Sequence, residues 1–203
     1  MGTGTMIQQL LARKAKKLVL GSQSPRRKAF LESLHLTFST RSSSVEENYP
    51  PDLVAEEIAI YLAELKFEAL EPTLQEDELL ITSDTVVWNN NASLEKATNK
   101  EDAIRMLKAL SNNKHQVITA LCIGDSNKRW TSYEVTEVHF RALKNEEIEY
   151  YVDHYQPFDK AGAYGIQEWI GLIGITHISG NYPAVVGLPT ALLYQGLIEY
   201  LED

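Results

Sequence analysis

The chain has 203 residues, of which 44% are apolar and 23% are charged, as is ordinary for a globular protein with its own core. Its formal net charge of −9 argues against a general nucleic-acid binder, which needs a broad basic surface. No apolar stretch is long enough to span a bilayer, and no secretory signal precedes the first predicted strand. Cys122 is the only cysteine and lies in an apolar run, which predicts a buried thiol in a reducing cytoplasm.

Apolar periodicity predicts alternating helices and strands in the first half of the chain. A helix-like segment over 7–17 comes first, and its basic residues favour a solvated extension. The predicted elements that follow are a strand at 17–22, a helix at 25–34, a short strand at 37–41, a helix at 52–70, a strand at 78–87 and a hairpin partner at 94–96.

The second half of the chain has a different pattern. A capped helix over 99–110 leads into two long β runs, and a second capped helix follows them; a Gly- and Pro-rich segment comes next, with one short strand near 172–178. The two β runs cover 115–123 and 130–141, the second capped helix covers 145–155, and a last helix covers 188–201. This order predicts an α/β fold around a mixed sheet, with one domain over 17–203 behind an extension of residues 1–16.

The segment from Gly21 to Arg27 combines a tight turn, a helix start and positive charge. Ser24 is a good N-cap, and Pro25 suits the first helical position. A helix N-terminus presents free backbone N–H groups, and the guanidinium groups of Arg26 and Arg27 match phosphate oxygens. The spacing alone is equally compatible with a phosphate site and with a capped surface helix.

A carboxylate interrupts the apolar strand at 78–87. Asp84 lies in the middle of this run, where an acidic group is costly unless it is paired or binds a metal, so a functional role is favoured over a strand-end cap. Such a group can hold Mg²⁺ or orient a water molecule. Glu47 lies in a polar loop and is expected to be solvated unless the fold brings it near Asp84.

The loop over 157–167 is rich in Gly and Ala, which allow a backbone to approach a ligand closely. In it, Lys160 can contact phosphate and Gln167 can read a base edge, although a structural loop packed on Tyr164 is the alternative. Lys66 and Lys96 are isolated and are solvated by default. The histidines lack metal-ligand spacing, and no nucleophile elbow or P-loop is present, which disfavours acyl-transfer and P-loop chemistry.

Taken together, these segments resemble the Maf family of nucleoside triphosphate pyrophosphatases. The similarity runs in the family's order over residues 17–200, nearly the whole chain. The segments that carry it are Ser22 to Arg27, Val45 to Glu47, Leu62 to Lys66, Ser83 to Val87, Leu94 to Lys96, Ala103 to Ser111 with His115, Asp159 to Gln167, and Val186 to Pro189.

The resemblance implies a Maf/ITPase-like mixed sheet flanked by helices, with two lobes and a central cleft, often as a homodimer. It implies hydrolysis of dTTP and UTP to the monophosphate and pyrophosphate with Mg²⁺ or Mn²⁺. Phosphate contacts are expected from Ser22, Ser24, Arg26, Arg27, Lys66, Lys96 and Lys160, metal binding and catalysis from Glu47 and Asp84, and base contacts from Thr85 and Gln167.

Three residues bear on the choice of subfamily. Arg26, Thr85 and Gln167 follow the pattern of the dTTP/UTP group, whereas the 7-methyl-GTP group tends to have Trp and Gln at the first two positions. Glu168 departs from the family pattern, which usually has Gly there, and adds a negative charge next to Gln167. Two alternatives stay open: a non-catalytic nucleotide-binding regulator of septum formation, and a pyrophosphatase for modified pyrimidine nucleotides.

Overall fold

A computed structural model of the chain describes residues 4–202, and its centre is a 7-stranded mixed β-sheet. The strands lie in the order β2-β1-β3-β5-β6-β7, and β4 pairs with β3. The strand β1 pairs in parallel with both β2 and β3, and all other pairs are antiparallel. The strands are β1 (Lys17–Leu20), β2 (Phe38–Thr40), β3 (Glu78–Asn89), β4 (Ala92–Leu94), β5 (Lys114–Gly124), β6 (Arg129–Phe140) and β7 (Ile175–Ser179).

Helices flank this sheet, so the predicted α/β fold with a mixed sheet is confirmed. No helix in the described part of the chain is long and apolar enough to cross a membrane. The helices are α1 (Met6–Arg13), α2 (Pro25–Ser33), α3 (Glu56–Leu70), α4 (Lys100–Leu110), α5 (Asn145–Tyr155), α6 (Trp169–Gly174), α7 (Tyr182–Val186) and α8 (Thr190–Glu202), with a 3-10 turn at Glu71–Thr73.

The strand β3 has a partly open edge, and this opening positions the site. Its first residues pair with β1 up to Ile81, and its last residues pair with β4 from Val87 onward. On its other edge, β5 pairs with it continuously from Leu80 to Trp88. Residues 82–86 therefore have a strand partner on one edge only within the described chain, and their other edge faces a gap between β1 and β4.

Three apolar clusters hold the elements around this gap. One cluster packs α3 onto one face of the sheet and includes Cys122. A second packs α2 and α8 onto the opposite face, and a third joins α4, α5 and α6 to the far ends of β5 and β6. Burial raises the pKa of the Cys122 thiol to about 12, which confirms the prediction of a buried, inert thiol.

The N-terminal segment packs into the core, so the prediction of a solvated extension is wrong. Ile7 is fully buried, and Leu10 and Leu11 join it against residues of α8 such as Leu197. Beyond the helix, the Lys16 ammonium lies 2.8 Å from a carboxylate oxygen of Asp125. Residues 1–3 of the predicted extension lie outside the described residues.

The Gly- and Pro-rich segment contains two helices that sequence periodicity did not predict. Each has five or six residues, too few for a helical repeat to be recognised. The predicted strand near 172–178 is β7, which begins at Ile175 directly after α6. Gly171 of α6 lies under the Ile166 carbonyl, and a Cβ atom there would be 2.1 Å from that oxygen.

Candidate active site

A cleft of about 880 Å³ opens at the gap in the sheet. One wall comes from the β1–α2 turn, the loop over 42–49 and α3, and the other comes from β4 and the loop over 159–167. All of the site residues predicted from the sequence line this cleft; they are Ser22, Ser24, Arg26, Arg27, Glu47, Lys66, Asp84, Thr85, Lys96, Lys160 and Gln167.

The start of α2 is organised by short polar contacts. The Ser24 side chain caps the helix by accepting from the Arg27 amide at 3.5 Å, as the sequence predicts for an N-cap. The Ser22 hydroxyl oxygen accepts from the Ser24 amide at 3.1 Å and from Arg27 Nη1 at 3.3 Å. Both serines are therefore oriented by the helix start that they line.

The two arginines of α2 point to different partners. Arg27 donates from Nε to the Gly187 carbonyl at 2.8 Å, in the link between α7 and α8. Arg26 lies 3.5 Å from a carboxylate oxygen of Asp159, on the opposite wall of the cleft. Arg27 is thus a fixed part of the floor, whereas Arg26 spans the cleft mouth.

Alternating charges connect the two carboxylates at the centre of the cleft. The Lys66 ammonium donates to Asp84 and, at 2.9 Å, to Glu47 Oε1. Lys96 lies 3.1 Å from the other oxygen of Glu47. The Asp84 side chain is 9% exposed and that of Lys66 is 12% exposed. The fold therefore brings the loop residue Glu47 to the strand residue Asp84, which is the condition for the predicted role of Glu47.

Burial separates the pKa values of these carboxyl groups. Burial raises the pKa of Asp84, and the nearby Lys66 and Arg27 offset that effect only in part. The half-buried Glu47 is also desolvated, but Lys66 and Lys96 together hold its pKa below the usual value. A buried carboxylate with a raised pKa is the better proton acceptor of the two.

The donor set of the cleft fits a divalent cation that binds together with a phosphate ligand. The described residues contain no cluster of three or more His, Cys, Asp or Glu side chains arranged to hold a metal. Mg²⁺ is usually held by one or two carboxylates plus substrate phosphates and water. Glu47 and Asp84 contact one common ammonium group and can supply such a pair of carboxylates.

A threonine pair fixes the direction of the Thr85 hydroxyl. Thr85 and Thr119 occupy facing positions on β3 and β5, and their hydroxyl oxygens are 3.0 Å apart. The Thr119 hydroxyl donates to the Ala184 carbonyl at 2.7 Å, which uses its only proton. Thr85 must then donate to Thr119, so toward the cleft it can only accept. Nothing in the sequence marks Thr119 as a site residue, since a threonine is ordinary in a strand.

The departure at Glu168 does not place its carboxylate in the cleft. Its side chain turns behind the loop, toward the Tyr151 hydroxyl and the Lys160 ammonium. Lys160 also lies 2.6 Å from Asp159 and is only 10% exposed. The added charge therefore acts on the back of the loop, and sequence reasoning missed its partner Tyr151 because α5 lies outside the matching segments.

The wall of the cleft at Tyr164 is supported by a buried histidine. His115 is 2% exposed, and its Nε2 atom lies 2.8 Å from the Tyr164 hydroxyl. Its Nδ1 atom has no hydrogen-bond partner among the described residues. Burial, with a smaller effect of His139, lowers the pKa of His115 from 6.5 to about 4. His115 is thus a neutral residue that supports the wall of the cleft at Tyr164.

This histidine predicts a loss of stability in mild acid. Below pH 6.5 the unfolded chain takes up a proton that the folded chain does not accept until about pH 4, so the free energy of unfolding falls through that window. Between pH 7 and 5, the wild type should lose about 2 kcal/mol more than His115→Gln in urea unfolding. The exposed His154→Gln should behave as wild type, and equal pH dependence in His115→Gln would contradict the assignment.

The chain is similar to several known proteins. The HAM1 protein from Coxiella burnetii is similar at 17% identity and a TM-score of 0.41, over 62% of this chain and 73% of that one. A dTTP/UTP pyrophosphatase from Flavobacterium johnsoniae is 49% identical over 91% of this chain and 95% of its own length. Another from Christiangramia forsetii is 43% identical over 98% of this chain and 100% of its own length. The model of Maf-like proteins matches residues 17–200, and the chain therefore belongs to the Maf family.

Proposed function

We propose that this protein is a nucleoside triphosphate pyrophosphatase that hydrolyses dTTP and UTP to the nucleoside monophosphate and pyrophosphate. The observation that carries the proposal is the buried Asp84 at the centre of a cleft lined with Arg and Lys side chains. Relatives named dTTP/UTP pyrophosphatase that are 43% to 50% identical support the choice of substrate.

The cationic groups of the cleft suit a triphosphate, which carries about four negative charges near neutral pH. We assign phosphate contacts to the arginines and lysines and to the two serines at the start of α2. Binding would release Lys66 and Lys96 in part from Glu47, their present partner. The residues in this role are Ser22, Ser24, Arg26, Arg27, Lys66, Lys96 and Lys160.

We assign to Asp84 the proton of the attacking water, a role that its burial at the centre of the cleft supports. The water oxygen bonds to the α-phosphorus, the bond from that phosphorus to the bridging oxygen breaks, and pyrophosphate leaves with the electron pair of that bond. Glu47 and Asp84 would hold the Mg²⁺ or Mn²⁺ ion, which neutralises phosphate charge when bound. Lys66 keeps both carboxylates in position before the substrate arrives.

Thr85 and Gln167 are assigned to the base. Uracil and thymine carry an N–H donor between two carbonyl oxygens, whereas cytosine has an unprotonated ring nitrogen at the same place. The Thr85 hydroxyl can only accept from the cleft, so it suits the former bases and leaves cytosine unsatisfied. Gln167 offers both a donor and an acceptor, and Arg26 shapes the same pocket.

Gln167→Ala should narrow the preference for dTTP and UTP over purine nucleoside triphosphates by about tenfold or more. The exposed Gln167 amide would be covered by a bound base, and without it a mismatched base no longer leaves that amide unsatisfied. The measurement is kcat/KM for each nucleotide from pyrophosphate release. Gln23→Ala removes an amide from the same cleft lining, where it contacts Ser42, and should leave the preference unchanged. An unchanged preference in Gln167→Ala would mean that the base is read elsewhere.

The deciding experiment is pyrophosphate release by the purified protein from a panel of nucleoside triphosphates, with Mg²⁺ or Mn²⁺ and after metal removal by a chelator. Release from dTTP and UTP that needs the metal is the expected result. Release from no triphosphate would favour a nucleotide-binding regulator of septum formation, and faster release from modified pyrimidine nucleotides would favour the third hypothesis. A single domain over 17–203, a homodimer and a cytoplasmic location are part of the proposal.

A further inference from the structure

Glu168 lies directly behind the loop that carries two of the proposed substrate contacts. Its Oε1 atom is 3.2 Å from the Lys160 ammonium, and its Oε2 atom accepts a hydrogen bond from the Tyr151 hydroxyl. Lys160 and Gln167 line the cleft, whereas Glu168 and Tyr151 do not. The pair therefore touches the substrate-facing loop from its back and has no direct route to the nucleotide.

The Tyr151 hydroxyl ties this carboxylate to the loop backbone. Tyr151 is fully buried on α5, and its hydroxyl accepts from the Gly165 amide at 3.1 Å while donating to Glu168. Burial and the neighbouring Glu168 raise the pKa of Tyr151, which keeps it a neutral donor. The Glu168 amide closes the ring by donating to the Gly165 carbonyl at 3.0 Å.

The loop needs such support because its backbone turns sharply. Gly162 and Ala163 both have positive φ, at 67° and 55°, and residues with a side chain rarely adopt that region. The early part of the loop is tied by the Gly162 amide, which donates to the Leu94 carbonyl at 2.9 Å. The late part is tied at Gly165, where a Cβ atom would lie 2.7 Å from Glu168 Cδ.

Lys160 is held by the same carboxylate. Its ammonium lies between Glu168 and Asp159, and a lysine fixed by two partners loses the rotamer freedom that would otherwise oppose phosphate binding. Asp159 is 61% exposed and also meets Arg26, so Glu168, at 20%, is the more buried of the two anchors.

We propose that Glu168 and Tyr151 form a positioning pair that fixes the loop over 159–167, and with it the Lys160 ammonium and the Gln167 amide, in the orientation that receives the nucleotide. The inference rests on the proposed function. It assigns the pair to substrate binding and base preference and leaves proton transfer to Asp84. Loss of the pair should therefore change KM and selectivity more than kcat.

The test compares Glu168→Gln and Tyr151→Phe with wild type. Each should raise KM for dTTP and UTP about tenfold and keep kcat within about twofold of the wild type. Each should also narrow the preference for dTTP and UTP over other nucleoside triphosphates. The double variant should have a KM no higher than that of the more impaired single variant, because both changes break one network. Glu149→Gln and Tyr155→Phe, which remove the same groups from exposed positions on α5, should match wild type.

Two results would overturn the positioning role: unchanged KM and base preference in Glu168→Gln, or a fall in kcat at unchanged KM. If Tyr151→Phe fails to fold by circular dichroism, Glu168→Gln decides alone. If the wild type releases no pyrophosphate, the proposed function fails separately. The pair is then judged by dTTP binding in calorimetry, where weaker binding to Glu168→Gln supports it and equal binding refutes it.

Discussion

Asp84→Asn should lower kcat for dTTP and UTP by about a hundredfold or more while changing KM far less. The asparagine keeps the shape of the side chain, but it cannot take a proton and carries no charge. It also leaves the Lys66 ammonium with Glu47 as its remaining partner. The measurement is steady-state pyrophosphate release at saturating Mg²⁺, with KM taken from the same curves.

The chain offers a matched control for this change. Asp125 is also buried, and it also pairs with a lysine, Lys16, but it lies in the turn between β5 and β6 and does not line the cleft. Asp125→Asn should lower the free energy of unfolding by about 1–3 kcal/mol and leave kcat within about twofold. Near-normal Mg²⁺-dependent turnover in Asp84→Asn would remove Asp84 from the mechanism.

Lys66→Met should lower kcat/KM by roughly a hundredfold, because it removes a phosphate contact and leaves two neighbouring carboxylates without their shared cation. Since Lys66 holds the pKa of Asp84 down against the effect of burial, its loss should raise that pKa further. As the pH falls, activity that needs ionised Asp84 is then lost at a higher pH than in the wild type. The acidic limb of the kcat/KM profile should move upward in pH.

The control for this variant is Lys16→Met, which breaks the ion pair with Asp125 at the other end of the sheet. It should cost stability without moving the pH profile. Thermal unfolding of both variants at alkaline pH separates loss of fold from loss of activity. If Lys66→Met keeps kcat/KM within about threefold of wild type and an unshifted acidic limb, Lys66 has no such role.

The sequence predicted most of the regular elements and the main site residues for identifiable physical reasons. Asp84 was recognisable because a charge in a buried strand needs a partner, and the start of α2 because capping residues and Pro25 have fixed preferences. Each of these signals rests on residues within a few positions of one another in the chain. Such local patterns survive folding.

What the sequence could not show depends on contacts between distant segments. The sequence alone predicts a solvated Glu47, because its partner Lys66 lies on α3. It likewise predicts an ordinary strand residue at Thr119, because the Ala184 carbonyl that accepts from its hydroxyl lies on α7. The predicted solvated extension is instead a packed helix. Ile7, Leu10 and Leu11 have the apolar spacing of a helix with one buried face, and this spacing decides the packing of the segment despite its basic residues.

The contact between Arg27 and the Gly187 carbonyl has a consequence for how the protein is made. These residues are 160 positions apart in the chain, and the Ser83 hydroxyl meets the same carbonyl. A ribosome delivers the N-terminal motif long before the segment that orients it. The cleft can therefore be completed only after α7 has been synthesised, and closing so long a loop makes its assembly a late event in folding.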